Sequence, residues 1–262
     1  MGLYVDDGIV LRTQDLGEAD RIVTILTRRT GRVRAVGKGV RRTKSRFGAR
    51  LEPFTHVDLQ LHTGRSLDYV TQADTVRAYG EPLSVDYPRY TSGTAMLETA
   101  ERFTPVEKEP ALRQFLLLVG GLRALGEGAH DPRLVLDAFL LRSLAVAGYA
   151  PALSECALCG ATDLADGNGG TGAPGRAGGV TGGSRAFAIA AGGLTCQSCR
   201  QPGAATPSVH TIALMSALLR GDWAHADAAE RRHQVECSGL VAAYLQWHLE
   251  HSIRSLRHVE HA

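Results

Sequence analysis

The chain has 262 residues, 44% hydrophobic and 21% charged, an ordinary globular composition long enough for one large or two small domains. Its formal net charge is only +2, so the protein as a whole is not a polycation and any basic site must be local. No run of about 18 apolar residues occurs and the first residues, MGLYVDDGIV, carry acids where a signal peptide is basic, so we expect a cytoplasmic protein without membrane spans.

The first eighty residues carry the signs of short β-strands. HVDLQLH alternates with a period of two, so that Val57, Leu59 and Leu61 share one face. Tight turns separate the strands, which we place at residues 4–13, 20–27, 32–39, 56–62 and 67–73. Five short strands in this length favour an OB-fold barrel over residues 1–80, while a two-sheet sandwich fragment is an alternative that would be short of strands.

One stretch within this barrel is strongly basic. Residues 28–50 hold ten of the 29 basic residues and no acid, which indicates a polyanion site such as DNA. Alternation of Arg32 and Arg34 with Val33 and Ala35 predicts that both arginines lie on an outward strand face. Phe47 could stack on a base or fill the core beneath the loop. The predicted DNA-binding residues are Arg32, Arg34, Lys38, Arg41, Arg42, Lys44, Arg46, Phe47 and Arg50.

From about Pro82 onward the apolar residues recur at helical spacing, which predicts an all-helical domain over residues 81–262. The predicted helices span residues 87–103, 109–125, 131–147, 208–219 and 239 to about 258. Pro132 sits where a first helical turn accepts proline. The apolar stripes of these helices are most simply a packed core.

Four cysteines interrupt the helical pattern in two pairs, CALC and CQSC, within residues 153–200. Two residues between cysteines let a knuckle aim both thiolates at one tetrahedral ion, so we predict one structural Zn²⁺ bound by Cys156, Cys159, Cys196 and Cys199. Unrelated buried or redox thiols are the alternative. A closed four-sulfur shell has no open position, and no other enzyme signature is present, so we do not expect an enzyme.

The segment between the cysteine pairs is rich in glycine and offers little apolar area to offset the entropy of ordering its backbone. We therefore expect a disordered insertion at about residues 165–185. A metal ion bound by both cysteine pairs would let the chain tolerate this insertion, because the free-energy cost of closing a loop grows only slowly with its length.

Several motifs together resemble the RecO family of bacterial recombination mediators. They are GRVRAVGKGVRRTKSRFGARLEPF and, further on, AGYAPALSECALCG and GGLTCQSC of the zinc-bearing members. The resemblance implies an N-terminal OB-fold and a helical domain with an embedded zinc knuckle. It also implies binding of single- and double-stranded DNA, annealing of complementary strands and assistance to RecA on strands coated with single-strand-binding protein. RecR and the C-terminal tail of the single-strand-binding protein would be its partners, and the protein would join the nucleoid when acting.

A second hypothesis is a zinc-stabilised adaptor that docks an acidic-tailed protein partner without touching DNA. An apolar groove between helices with an arginine at its rim would suit such a tail. Arg123, Arg133 and Arg142 are candidates for that arginine, and the sequence does not choose among them.

Overall fold

The computed structural model describes residues 2–45, 47–162 and 186–249, and it begins with a closed five-stranded barrel. The strand order around the barrel is β1-β2-β3-β5-β4, with β3 parallel to β5 and every other neighbouring pair antiparallel. This arrangement confirms the predicted OB-fold. The strands are β1 Leu3–Leu16, β2 Asp20–Thr27, β3 Gly31–Gly37, β4 Thr55–His62 and β5 Asp68–Ala78.

The barrel core follows from the alternation in the strands. Val57, Leu59 and Leu61 all point inward and are at most 1% exposed. On the opposite side of the same barrel wall, Ile9 and Leu26 face outward, yet both are fully buried because helices cover them. The barrel therefore has an apolar interior and a second apolar patch on its outer surface.

Asp6 ties the turn between β2 and β3 to β1. Its carboxylate accepts hydrogen bonds from the backbone N–H groups of Arg29 and Thr30 and from the Thr30 hydroxyl. Burial raises the pKa of this carboxyl, but hydrogen bonds from Thr30, Thr27 and Arg29 outweigh that effect, so the pKa lies below its ordinary value. A carboxylate that is almost fully buried is thus kept charged by its donors.

A helical region follows, and its helices begin at capping residues that the sequence already displays. Asp86 accepts from the backbone of Arg89 at the start of α2, Asp131 caps α4 immediately before Pro132, and Ser208 caps α5. The helices are α1 Gly80–Ser84, α2 Tyr87–Arg102, α3 Leu112–Glu127, α4 Pro132–Val146, α5 Val209–Arg220, α6 Trp223–Asp227 and α7 Arg231–His248.

The helix α4 occupies the centre of this region and is buried on nearly all sides. It packs on α2 and α3 on one side and on α5 and α7 on the other. One continuous apolar cluster joins these helices to Ile9, Leu11 and Leu26 on the outside of the barrel. Burial of that patch fixes the barrel against the helices.

Two expectations for the C-terminal half change. The last helix begins at Arg231, eight residues before the predicted residue 239. Its first turns are polar on the outside, which hid them from the apolar pattern, but they bury His233 and Cys237. A two-stranded sheet of β6 Ala186–Ala188 and β7 Gly193–Thr195 lies beside the cysteines. The predicted insertion and the predicted helix end near residue 258 lie outside the described residues.

No helix in the described ranges is both long and apolar enough to cross a membrane.

We expect Asp6→Asn to lower the free energy of unfolding by about 2 kcal/mol at neutral pH, because the amide loses the charge that its donors stabilise. This contribution is fully present above the pKa of an unfolded carboxyl, about 3.9, and is lost as the pH falls below it towards the lower pKa of the folded state. Urea denaturation of both proteins across this range measures the difference.

Asp58→Asn is the matched control, because Asp58 is an exposed acid on β4. A difference between wild type and Asp6→Asn that stays constant down to about pH 2 would contradict the assignment.

Candidate nucleic-acid interface and metal centre

The long connection between β3 and β4, residues 38–54, carries the predicted basic site, and we refer to it as the basic loop. Three apolar side chains, Val40, Phe47 and Leu51, anchor it in the core of the barrel. Phe47 is 1% exposed, so it fills the core and does not present its ring for base stacking. Its prediction as a DNA-binding residue is therefore wrong, because the barrel interior offers this large ring more apolar contact than the surface does.

Polar contacts hold the start of the basic loop against the turn between β1 and β2. The Gly39 N–H donates to Asp20 Oδ1 at 2.7 Å, and the Arg41 N–H donates to the Ala19 carbonyl at 3.0 Å. Gly39 has φ +69°, a conformation that glycine adopts without strain. The Arg41 guanidinium also lies 3.4 Å from Asp15. These acids hold the loop and do not converge on a metal site in the described part of the chain.

The described residues 41–44, between the apolar anchors Val40 and Phe47, are exposed. Arg42 and Lys44 are exposed, and neither side chain forms a hydrogen bond or ion pair with any described residue. Arg46 lies outside the described residues. The cations that the basic loop exposes are Lys38, Arg41, Arg42, Lys44 and Arg50.

Arg32 and Arg34 do lie on the outward face of β3, but both side chains contact the segment between α2 and α3, which buries most of Arg32 and leaves Arg34 half-exposed. Arg32 Nε and Nη2 donate to the carbonyls of Thr104 and Pro105, both at 2.6 Å. Arg34 Nε lies 2.5 Å from Glu107 Oε1. Alternation along β3 correctly predicts which side chains point outward. It does not determine whether the outward face contacts water or another part of the chain. We therefore correct the interpretation of these two arginines, which hold the helical region on the barrel.

The segment from 104 to 111, which joins α2 to α3, makes this attachment, and we call it the α2–α3 connection. Lys108 donates its backbone N–H to the Arg32 carbonyl and its ammonium to Asp68, at 2.9 Å in each case. Gly31 is required because a Cβ there would lie 1.7 Å from the Glu109 carbonyl oxygen. The connection is thus joined to β3 by a backbone bridge between Glu107 and Arg32.

An aromatic side chain that the sequence analysis did not single out lies beside the basic loop. Tyr69, on β5, is 39% exposed, and Lys38 Nζ lies 4.9 Å from the centre of its ring. Its neighbour Val70 points into the core, so the period-two alternation of β5 could have revealed an outward aromatic ring at this position.

The four predicted metal ligands come together. Their sulfur atoms all lie within 4.8 Å of one another, and the Sγ atoms of Cys159 and Cys196 are 3.8 Å apart. Backbone pairing of Ala152 with Gly192 and Leu194 brings the two knuckles together. Gly193 permits this pairing, because a Cβ there would lie 2.4 Å from the Ala152 carbonyl oxygen.

The donor set and its spacing fit a tetrahedral metal ion. Metal–sulfur distances of about 2.3 Å require sulfurs about 3.8 Å apart, which matches the measured separation. The N–H of Cys196 points at Cys156 Sγ at 3.4 Å, and such donors lower the pKa of the Cys156 thiol. Hydrogen bonds with Cys196 and Cys159 raise the pKa of the Cys199 thiol. A bound cation would favour the thiolate form of its cysteine ligands.

Comparison with known proteins gives one consistent result over the chain. The family models described as Recombination protein O N terminal and Recombination protein O C terminal match residues 1–79 and 84–257. A DNA repair protein RecO from Thermobifida fusca is 68% identical over the full length of both chains. Proteins of the same name from Streptomyces griseus and from a Nocardioides species are 59% and 57% identical over 98% or more of each chain.

Native mass spectrometry should find one metal ion per chain, and Cys156→Ala should lose it because three sulfurs no longer complete the shell. Cys237→Ala is the control, because Cys237 is a buried core residue on α7 and not part of the cluster. Retention of the metal by Cys156→Ala, or its absence from wild-type protein purified without chelator, would contradict the assignment.

Proposed function

Since the chain belongs to the RecO family of DNA repair proteins, we propose that it binds single- and double-stranded DNA through its basic loop and anneals complementary strands. On coated single strands it would assist RecA together with RecR. The observation that carries this proposal is a group of exposed cations on a loop anchored in the barrel core. Within this proposal the chain is not an enzyme, because annealing makes and breaks no covalent bond.

Electrostatics explains how such a loop could anneal strands. Two single strands repel through their phosphates, and arginine and lysine side chains lower that repulsion without reading the sequence. The bases stay free to find partners as long as the protein binds mainly the backbone. Val40, Phe47 and Leu51 keep the like charges of the basic loop together, although these charges repel one another.

We assign the cysteine cluster a structural zinc ion. Four thiolates are the ligand set of structural zinc sites, and a complete shell leaves no position for a substrate. The ion would fasten the strand pairing around Ala152 and Leu194 and thereby brace the helices next to it. Bound zinc contributes roughly 10 kcal/mol or more to the folding of small domains at neutral pH.

The acidic C-terminal tail of the single-strand-binding protein is the proposed protein ligand of the helical region. Two of the three arginines named from the sequence are occupied: Arg142 donates to the Leu218 carbonyl, and Arg123 pairs with Glu127 at 2.7 Å. Arg133 lines a groove of about 220 Å³ between α4 and α7, together with Arg231 and apolar side chains such as Leu140. We therefore propose this groove as the binding site of the tail.

The adaptor hypothesis remains the second candidate function, and the groove between α4 and α7 is the observation that favours it. In that case the protein would bind the acidic tail and leave DNA untouched. Binding of a short oligonucleotide by the isolated protein separates the two functions.

The double variant Arg42→Ala, Lys44→Ala should bind single-stranded DNA more weakly whatever its sequence, because both side chains meet phosphates in this proposal. If five cations make contacts, the log–log slope of affinity against salt should be roughly −3.5, and the variant should reduce its magnitude by about 1.4. Fluorescence anisotropy with a labelled oligonucleotide measures both values. Annealing of complementary strands coated with single-strand-binding protein should slow in parallel.

Arg123→Ala, Arg232→Ala is the charge-matched control, because both residues are exposed on the helical region. A slope that is the same in wild type and in the loop variant would count against the basic loop as the DNA site.

Arg133→Ala should weaken binding of a short acidic peptide with an apolar C-terminal residue by about tenfold, as expected for losing one charge-assisted contact. Arg123→Ala should bind the peptide like wild type. Equal binding by all three proteins in calorimetric titrations would exclude the groove between α4 and α7.

A further inference from the structure

The face of an OB-fold that commonly binds nucleic acid, on strands 2 and 3, is mostly covered in this protein, with Arg34 half-exposed and paired with Glu107. Thr24 and Leu26 of β2, which pair with Arg34 and Arg32 of β3, are at most 1% exposed. The two arginines contact the α2–α3 connection. A nucleic acid held by the basic loop must therefore follow another face of the barrel.

The next face around the barrel, formed by β5 and β4 beside β3, presents Tyr69. Strand pairing places Tyr69 opposite His62 of β4 and beside Val36 of β3, so the ring stands on a paired strand and not on a loop. The ring edge packs against the turn before β5, where a Cβ on Gly64 would lie 3.2 Å from the Tyr69 ring and 1.9 Å from the Leu67 carbonyl oxygen. A paired strand holds such a ring in a fixed position, as a stacking platform requires.

Lys38 joins this ring to the basic loop. It is the first cation of that loop, it is exposed, and its ammonium group lies over the Tyr69 ring. Contact between an exposed ammonium and a ring is weaker than stacking of a base on an aromatic side chain. An incoming base can therefore displace the ammonium, which is then free to meet the adjoining phosphate.

A row of acidic residues elsewhere on the barrel limits the path of a bound nucleic-acid strand. Asp7, Asp58 and Asp74 lie side by side on β1, β4 and β5, two of them exposed. Phosphates are repelled from this row. The available path therefore leads from the basic loop across Tyr69 and stops short of the three acids.

We propose that Tyr69 stacks on a base of single-stranded nucleic acid while Lys38 meets the neighbouring phosphate. The site accepts any base, because every base has an aromatic face. This inference rests on the proposed function, since the basic loop must deliver the strand.

The test compares Tyr69→Ala and Tyr69→Phe with the full-length wild type on three probes: a short oligo-dT, an abasic oligonucleotide of equal length and a duplex. Tyr69→Ala should bind oligo-dT about tenfold more weakly and the abasic oligonucleotide unchanged, because only stacking is lost. Tyr69→Phe should bind all three probes like wild type. The salt slope on oligo-dT should stay the same for all three proteins.

Tyr87→Ala is the matched control, because Tyr87 is an exposed tyrosine on α2 and 59% accessible. Equal affinity of wild type and Tyr69→Ala for oligo-dT would overturn the inference and leave DNA binding by the basic loop intact. An equal loss on the abasic oligonucleotide would overturn it as well, by showing that no base is involved. Failure of the wild type to bind any probe would instead overturn the proposed function.

Discussion

The structure around the basic site depends on one constraint: a group of like charges must be held together at the surface of a small barrel. Coulomb repulsion would disperse the cations of a free loop, and burial of three apolar side chains opposes that tendency. Each large side chain buried in this way contributes about 1.5–3 kcal/mol, which exceeds the repulsion between exposed charges in water. Val40, Phe47 and Leu51 therefore determine where the charges lie, although they carry none themselves.

The basic residues of the barrel fall into two groups that differ in their acidic partners. On the outer face of β1 and β3, Arg12 and Arg34 form intramolecular ion pairs with Glu101 and Glu107, which follow the barrel in the chain. On the basic loop, Arg42 and Lys44 lack such acids among the described residues. A composition count treats all of these side chains alike, and only the position of the glutamates separates Arg12 and Arg34 from Arg42 and Lys44.

Sequence reasoning succeeded where the physical rule is local. The CxxC spacing alone positions two thiolates, and alternation along β4 alone separates the inward residues from the outward ones. It failed where a distant element decides the outcome. Phe47 lies in an irregular loop without a period to read, and Arg32 contacts the α2–α3 connection, which comes some seventy residues later. The start of α7 at Arg231 was missed because its first turns carry few apolar residues.

The α2–α3 connection also restricts how the two parts of the protein can move. Arg32, Arg34 and Asp68 of the barrel all contact it, and Gly31 leaves no space between β3 and Glu109. Hinge bending between barrel and helices would have to break these contacts at once and expose Ile9 and Leu26 to water. With the DNA site and the protein-tail site proposed above, the two ligands would therefore stay at a set distance, and a DNA strand passed from one to the other would have to move itself, because the scaffold does not carry it across.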